Sequence, residues 1–202
     1  MLSAQAALER LRAGNQRFVT GNQQLPAATD ETRRNELTEG QAPFAIVLGC
    51  ADSRVPVEIV FDQGLGDIFT VRVAGNIATA AEMGSIEYAA AHVGSRLIVV
   101  LGHSGCGAVA ATLAEIDKPS EDLSPNIGAI VNQIAPTISK LPAQDTQDAT
   151  MNQAMRANVV ATVERLRTGS AILAKLIEDD GLLVVGGAYD LATGKVDFFE
   201  GV

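Results

Sequence analysis

The sequence predicts an α/β fold with a mostly parallel central sheet of four strands plus an edge strand, flanked by helices and preceded by an N-terminal helical arm. Short apolar runs recur along the chain without polar alternation, which is typical of strands that are covered on both faces. Helical segments separate these runs, and such an alternation is typical of parallel sheets. The 202 residues, of which 47% are hydrophobic, are enough for one domain with a full core.

The N-terminal arm is predicted over residues 1–40. Its first helix is indicated by apolar residues at helical spacing, namely Leu8, Leu11, Phe18 and Val19. Ser3 is a candidate N-cap for this helix. A polar loop that contains Pro26 is predicted over 21–29, and a short polar helix over about 30–39. The narrow apolar stripe of the first helix suits contact with a partner subunit as well as with its own domain.

The strands and helices of the main body follow in alternation. Four apolar runs predict the parallel strands, at residues 44–49, 67–74, 96–102 and 182–190. Residues 195–199 follow a turn and predict an antiparallel edge strand. Helices are predicted over about 80–93, 107–117, 125–140 and 147–180, the last of them broken near Gly169 and Ser170. The polar stretch 117–124 is expected to be a surface loop.

The composition restricts the classes of partner. No repeat, low-complexity tract or linker divides the chain, so residues 1–202 are predicted to form one domain. The net charge of −9 argues against nucleic acid and acidic membrane surfaces, which basic patches bind. The charged N-terminal segment lacks the apolar region of a signal peptide, and no run reaches the about 18 apolar residues of a membrane span. We therefore expect a cytoplasmic protein without nucleic-acid or membrane partners.

Both cysteines and one of the two histidines follow predicted strands. Cys50 comes after the first strand, and His103 and Cys106 come after the third. Because sites in such folds form where strands end, these side chains are expected to meet. Two thiolates and one imidazole are a zinc ligand set, and three protein ligands leave the fourth position open, as in catalytic zinc sites. Cys106 also begins a predicted helix, whose N-terminus favours the thiolate.

Asp52 and Arg54 follow Cys50 closely and allow two arrangements. Asp52 can fill the fourth zinc position, or it can leave the metal and form a bidentate pair with Arg54. In the second arrangement water can occupy that position, where zinc lowers the pKa of water to about 7. We expect the second arrangement at neutral and alkaline pH.

Other interpretations of these residues stay open on the motifs alone. A single buried cysteine is most often a small hydrophobe, and Asp52 with Arg54 could be a surface ion pair. A disulfide between Cys50 and Cys106 is disfavoured in a reducing cytoplasm. The site could also belong to a non-catalytic zinc module that serves as an interaction platform, or to a redox protein.

The sequence resembles the β-class carbonic anhydrases over nearly its whole length. The resemblance rests on two specific motifs, CADSRVP at 50–56 and GHSGCG at 102–107, and on the distance between them. It extends through DIFTVRVAGN at 67–76, GSIEYAAAHVG at 84–94 and GGAYDLATGKV at 186–196.

The resemblance implies an activity, a cofactor and an assembly. It implies one zinc ion per subunit, bound by Cys50, His103 and Cys106, with Asp52 and Arg54 controlling the fourth position. The implied reaction is the reversible hydration of carbon dioxide to bicarbonate and a proton by zinc-bound hydroxide. Hydrolysis of carbonyl sulfide or carbon disulfide at the same site is the alternative. A homodimer or homotetramer, with the substrate pocket shared across a subunit interface, is also implied.

The resemblance also implies roles for residues outside the metal motifs. It implies substrate-binding roles for Gln41, Phe69, Ala74, Tyr88 and Gly107. Tyr88 and His92, at positions i and i+4 of one predicted helix, are implied as candidate proton-transfer residues. Without the resemblance, these residues would be taken as ordinary loop, core or helix-surface positions.

The resemblance does not extend to a second bicarbonate site that inhibits some family members. That site is built from a tryptophan, an arginine and a tyrosine. Arg72 and Tyr189 match two of these positions, but Val47 stands where the tryptophan would be, and the chain contains no tryptophan. Regulation by bicarbonate is therefore not expected.

Overall fold

The computed structural model describes residues 2–24, 30–142 and 144–202. Its central sheet has five strands, which are β1 (Ala45–Gly49), β2 (Ile68–Arg72), β3 (Leu97–His103), β4 (Leu183–Tyr189) and β5 (Val196–Glu200). The strand order is β2-β1-β3-β4-β5. The first four strands pair in parallel, and β5 pairs antiparallel to β4. The predicted fold class is confirmed.

Eight α-helices accompany the sheet in the described parts of the chain. They are α1 (Ala4–Thr20), α2 (Glu31–Glu36), α3 (Val57–Val60), α4 (Ala80–Tyr88), α5 (Gly107–Asp117), α6 (Pro125–Ile138), α7 (Gln147–Thr168) and α8 (Ala171–Asp180). Short 3₁₀ turns cover Leu37–Glu39 and Ala74–Asn76, and a π-helical turn, Ala89–Val93, extends α4. Residues 25–29 of the predicted polar loop, including Pro26, lie outside the described residues.

Local capping explains where two of the predicted helices begin. The Ser3 hydroxyl accepts a hydrogen bond from the backbone N–H of Ala6 at 3.2 Å, which caps α1. The predicted break in the long helical segment lies between α7, which ends at Thr168 with Gly169 as its C-cap, and α8. Ser170 caps α8 by accepting from the N–H of Leu173 at 3.1 Å.

Helices cover both faces of the sheet, so β1 and β3 are buried along their whole length. Ile46 and Leu48 point to one face and pack in a cluster with residues of α7 and α8. Val47 points to the other face, where Leu8 and Leu11 of α1 cover it. Burial on both faces is the reason why these strands are continuous apolar runs rather than alternating ones.

Helix α7 lies unusually close to the sheet beside the functional site. A Cβ atom at Gly102 of β3 would stand 2.6 Å from Cγ2 of Val159, and one at Gly186 of β4 would stand 2.7 Å from Cγ1 of the same valine. Both glycines therefore leave room for α7. The close packing places α7 next to His103, the last residue of β3.

None of the described helices is both long enough and apolar enough to cross a membrane.

Candidate metal centre and active site

The structure brings together the three residues that the sequence motifs single out as zinc ligands. The Sγ atoms of Cys50 and Cys106 and a ring nitrogen of His103 all lie within 4.8 Å of one another, and the three residues are buried. Cys50 follows β1, His103 ends β3, and Cys106 is the N-cap of α5. They meet because β1 and β3 are parallel neighbours that end at the same edge of the sheet.

The hydrogen bonds of His103 fit a metal ligand. Its Nδ1 lies 2.9 Å from the backbone carbonyl of Ser104, to which only a protonated nitrogen can donate. This tautomer leaves a lone pair on Nε2. Within the described part of the chain, Nε2 is buried and has no hydrogen-bond partner. A buried polar atom without a partner is costly, and a cation between the two sulfurs would satisfy it. The donor set therefore fits zinc.

The pKa values of the two thiols are shifted in opposite directions. Both cysteines are free and buried. A hydrogen bond from the Cys106 thiol lowers the pKa of Cys50 to about 4, against the opposing effect of burial. The same hydrogen bond and burial raise the pKa of Cys106. The backbone N–H of Gly75 also donates to Cys50 Sγ, at 3.4 Å. The pair thus releases its first proton easily and holds its second, which a bound dication would displace.

Asp52 stands beside this cluster and is held by Arg54. Its Oδ1 accepts from Arg54 Nε at 2.9 Å, and its Oδ2 accepts from Arg54 Nη2 at 2.7 Å. The same Oδ2 lies 3.8 Å from His103 Nε2. Hydrogen bonding to Arg54 holds the pKa of Asp52 well below its usual range, so the carboxylate is ionised at neutral pH. Of the two arrangements that the sequence allows, the structure shows Asp52 paired with Arg54.

Three further arginine hydrogen bonds fix the loops that carry these groups. Arg54 Nη2 also donates to the carbonyl of Gly105 at 3.2 Å, which ties it to the loop before Cys106. Arg72 donates from Nε to the carbonyl of Cys50 at 3.0 Å and from Nη2 to the carbonyl of Asp52 at 2.7 Å. The motifs do not predict this role of Arg72. Its pairing with Gly49 across β1 and β2, which brings it level with the loop, becomes visible only in the sheet register.

The other two positions that correspond to the second bicarbonate site of some family members lie in the core. Val47 is fully buried within β1, and Tyr189, at the end of β4, is largely buried. Tyr189 pairs in register with His103, and its ring lies 6.4 Å from that of Phe18.

Of the predicted substrate residues, Ala74 and Gly107 lie near the cysteine cluster, and Gln41 does not. Gly107 is the first residue of α5, directly after Cys106, and Ala74 directly precedes the Gly75 that contacts Cys50. Gln41, in contrast, is exposed and precedes β1, whereas Cys50 follows it. Within one subunit, Gln41 and the cysteine cluster are therefore at opposite ends of the strand.

The remaining predicted residues form an aromatic row on the β2 side of the sheet. The ring centroids of Phe69 and Tyr88 are 6.5 Å apart, and those of Tyr88 and His92 are 5.4 Å apart. Tyr88 is 53% exposed. His92 is also exposed. Phe69 pairs with Ile46 near the start of β1, whereas Cys50 follows the end of that strand.

Comparison with known proteins identifies the family. The family model described as carbonic anhydrase matches residues 45–196. A carbonic anhydrase of Mycolicibacterium smegmatis is 42% identical over 192 residues, which cover 95% of this chain and 91% of that relative. Carbonic anhydrase 2 of Mycobacterium tuberculosis is 40% identical over 190 residues, which cover 94% of this chain and 90% of that relative.

Solved structures agree with the sequence relatives. A β-carbonic anhydrase of Coccomyxa, solved in complex with acetazolamide, matches with a TM-score of 0.75 and 26% identity over 84% of this chain and 78% of that chain. A tetrameric β-carbonic anhydrase of the ascomycete Sordaria macrospora matches with a TM-score of 0.74 and 25% identity over 82% of this chain and 85% of that chain. On the family match, the sequence relatives and these structures, the chain belongs to the β-class carbonic anhydrases.

Proposed function

We propose that the chain hydrates carbon dioxide reversibly to bicarbonate and a proton at one zinc ion, held by Cys50, His103 and Cys106. The observation that carries the proposal is that a ring nitrogen of His103 lies within 4.8 Å of two cysteine sulfurs, while its buried Nε2 has no hydrogen-bond partner among the described residues. Zinc in such a site supplies a Lewis acid that lowers the pKa of water to near neutrality.

Asp52 selects what can stand beside the metal. Its Oδ2 lies 3.8 Å from His103 Nε2, and it is ionised because Arg54 holds it. An ionised carboxylate accepts hydrogen bonds and donates none. It therefore favours a reacting group that has a hydrogen to donate and repels an anion that has none. Arg54 keeps Asp52 in this role by fixing both carboxylate oxygens.

The substrate pocket is completed by a second subunit. Residues 42–49, which include the five residues of β1, separate Gln41 from Cys50, and the strand alone spans about 16 Å. Gln41 therefore cannot orient a substrate at the Cys50 of its own subunit. We place it, with Phe69 and Tyr88, at the site of a partner in a homodimer or homotetramer. The Sordaria relative is described as tetrameric.

Within the subunit, Ala74 and Gly107 suit a small apolar substrate. Ala74 presents only a methyl group, and the backbone N–H of Gly107 lies in the first turn of α5, where helical N–H groups have no partner inside the helix. This N–H is a candidate donor to a substrate oxygen.

His92 and Tyr88 can carry the proton away from the site. Their rings lie 5.4 Å apart, and both side chains are exposed to solvent. An imidazole ring can accept a proton on one nitrogen and release it to buffer, which suits His92 to this role.

The same proposal covers the organisation and location of the chain. Leu8 and Leu11 of the predicted arm are fully buried against the core of the main body, which supports one domain over residues 1–202. Two free thiols in the site suit the reducing cytoplasm.

Stopped-flow assays of the zinc-loaded protein with carbon dioxide, carbonyl sulfide and carbon disulfide test this function. We expect rapid hydration of carbon dioxide and little release of sulfide. Sulfide release with negligible hydration would overturn the proposal in favour of a sulfide hydrolase. Full zinc occupancy without either activity would indicate a non-catalytic module, and a metal-free protein with a Cys50–Cys106 disulfide would indicate a redox protein.

A further inference from the structure

The 3₁₀ turn Ala74–Asn76 connects β2 to the metal cluster and is tightly confined. Gly75, at its centre, has a φ of +74°, a backbone conformation that residues other than glycine rarely adopt. A Cβ atom at this position would stand 2.8 Å from Cδ1 of Ile134 in α6 and 3.1 Å from Cβ of Ala108 in α5. Contacts with α5 and α6 therefore leave little room for the backbone of Gly75 to move.

Gly75 makes two polar contacts, one toward the site and one away from it. Its N–H donates to Cys50 Sγ at 3.4 Å. Its carbonyl accepts from Nδ2 of Asn158 at 2.8 Å. The N–H and the carbonyl belong to the two peptide units that meet at the Cα of Gly75. The bond to Asn158 therefore restrains the second unit directly and, because the backbone of Gly75 is confined, also restrains the direction of the N–H.

Asn158 is an unusual residue for its position. It lies on α7 and is only 3% exposed, between Met155 and Val159 on the face that packs against the sheet. Burying an amide is costly unless it is hydrogen-bonded, and its Nδ2 has a partner in Gly75. The same face of α7 packs over Gly102, which precedes His103. Helix α7 thus contacts Gly75, which donates to Cys50, and Gly102, which precedes His103.

We propose that Asn158 is a positioning residue of the metal site, which holds Gly75 so that its N–H donates to the Cys50 thiolate. This inference rests on the proposed function, since it requires Cys50 to bind zinc through its sulfur. The hydrogen bond draws electron density from the sulfur and stabilises it as a thiolate. Loss of a residue that holds a metal ligand in place typically lowers metal affinity by about 10- to 100-fold.

The inference is tested by zinc affinity and by the spectrum of the cobalt-loaded protein. In Asn158→Leu, which keeps the approximate volume but loses the amide, we expect zinc affinity to fall by about 10-fold or more in competition with a chelator. The sulfur-to-cobalt charge-transfer band should move to longer wavelength, because a thiolate without its N–H donor is easier to oxidise.

Thr162→Val is the matched control. Thr162 lies one turn further along α7 and is also buried, and the substitution removes one polar group at similar volume. We expect this variant to keep the zinc affinity and the cobalt band of the wild type. If Asn158→Leu also keeps both, Asn158 has no such role, although the proposed function stands. If the wild type itself binds no zinc, the proposed function fails instead.

A measurement on the wild type alone keeps the inference testable if Asn158→Leu does not fold. In protein loaded with ¹¹³Cd, an N–H···S hydrogen bond transmits a scalar coupling between the metal and the amide proton. We expect such a coupling at the Gly75 amide. A cadmium-bound protein without that coupling would contradict the inference.

Discussion

Arg54 holds both oxygens of the Asp52 carboxylate, and we expect this contact to serve activity more than stability. Its side chain is 56% exposed, and ion pairs between exposed side chains contribute little to the free energy of unfolding. The pair nevertheless lies beside the three proposed zinc ligands, with Asp52 Oδ2 at 3.8 Å from His103 Nε2. Removing the arginine should therefore affect turnover much more than folding.

We expect Arg54→Ala to lower the rate of carbon dioxide hydration by roughly 100-fold, a typical effect of losing one fixed polar group at a reacting centre. The midpoint of urea unfolding should change little. Arg156→Ala is the matched control, because Arg156 forms an ion pair of the same length, 2.7 Å, with Asp197 on the surface. This control should retain the wild-type rate. A wild-type rate in Arg54→Ala would disprove the role of the pair.

Tyr189 makes stability depend on pH at the alkaline end. Burial raises its pKa above the ordinary value of 10.0. Its contribution to stability is therefore fully present below about pH 10 and is lost as the pH rises through the folded pKa, since the unfolded chain releases the proton first. The chain has two tyrosines and no tryptophan, so absorbance at 295 nm in Tyr88→Phe reports Tyr189 alone. A titration midpoint at or below 10 would contradict this prediction.

Residues with a strong local signature could be predicted from the sequence, whereas residues that act through tertiary contacts could not. Cys50, His103 and Cys106 follow apolar strands, and parallel strands deliver such residues to one edge. Arg72 and Asn158 support the same site through contacts with backbone carbonyls. Neither contact leaves a pattern in the sequence. The contact of Arg72 depends on the register of β1 and β2, and that of Asn158 depends on how α7 packs against a segment that is distant in the sequence.

At the scale of elements, the packing of α7 against the sheet depends on Gly102. A methyl group there would meet Cγ2 of Val159 at 2.6 Å and Sδ of Met155 at 2.8 Å. We expect Gly102→Ala to lower the free energy of unfolding by about 1–3 kcal/mol, as overpacking usually does. Urea unfolding measures the change. Gly84→Ala is the control, since Gly84 lies in α4 with no atom within 4 Å of an added Cβ.

The control should behave in the opposite way. Replacing glycine by alanine inside a helix typically stabilises by about 0.5–1 kcal/mol. If Gly102→Ala is as stable as the wild type, α7 is not seated as the structure shows.

Elements with a long apolar run were predicted well, and short or irregular ones were not. The strand predicted over 67–74 is shorter in the structure, because Val73 and Ala74 already turn toward the site. Helix α3 has only four residues, too few to show a helical period, and was not predicted. The π-helical turn Ala89–Val93 was included in a predicted helix, since its residues have the same composition as an α-helix.

At the scale of the whole molecule, the proposed site requires two copies of the chain. Gln41 lies at the end of β1 opposite to Cys50, and Tyr88 is 53% exposed in the single chain. Sedimentation should therefore show a dimer or tetramer.

Mixing two impaired variants tests the shared pocket. Gln41→Ala should weaken activity through the partner's site, and Cys106→Ser should abolish metal binding in its own subunit. In mixed dimers, the intact zinc site of one subunit receives Gln41 from the other. A random equal mixture should then regain activity in roughly a quarter of its sites. No recovery after proven subunit exchange would place Gln41 outside the pocket.

The central claim is that carbon dioxide hydration depends on zinc held by Cys50, His103 and Cys106. The most direct measurement adds zinc stepwise to metal-free protein and follows the hydration rate. We predict a rate that rises in proportion to bound zinc and reaches a plateau at one ion per subunit, with no rise in Cys106→Ser. Full zinc occupancy without hydration, or equal hydration by the metal-free protein, would contradict the claim.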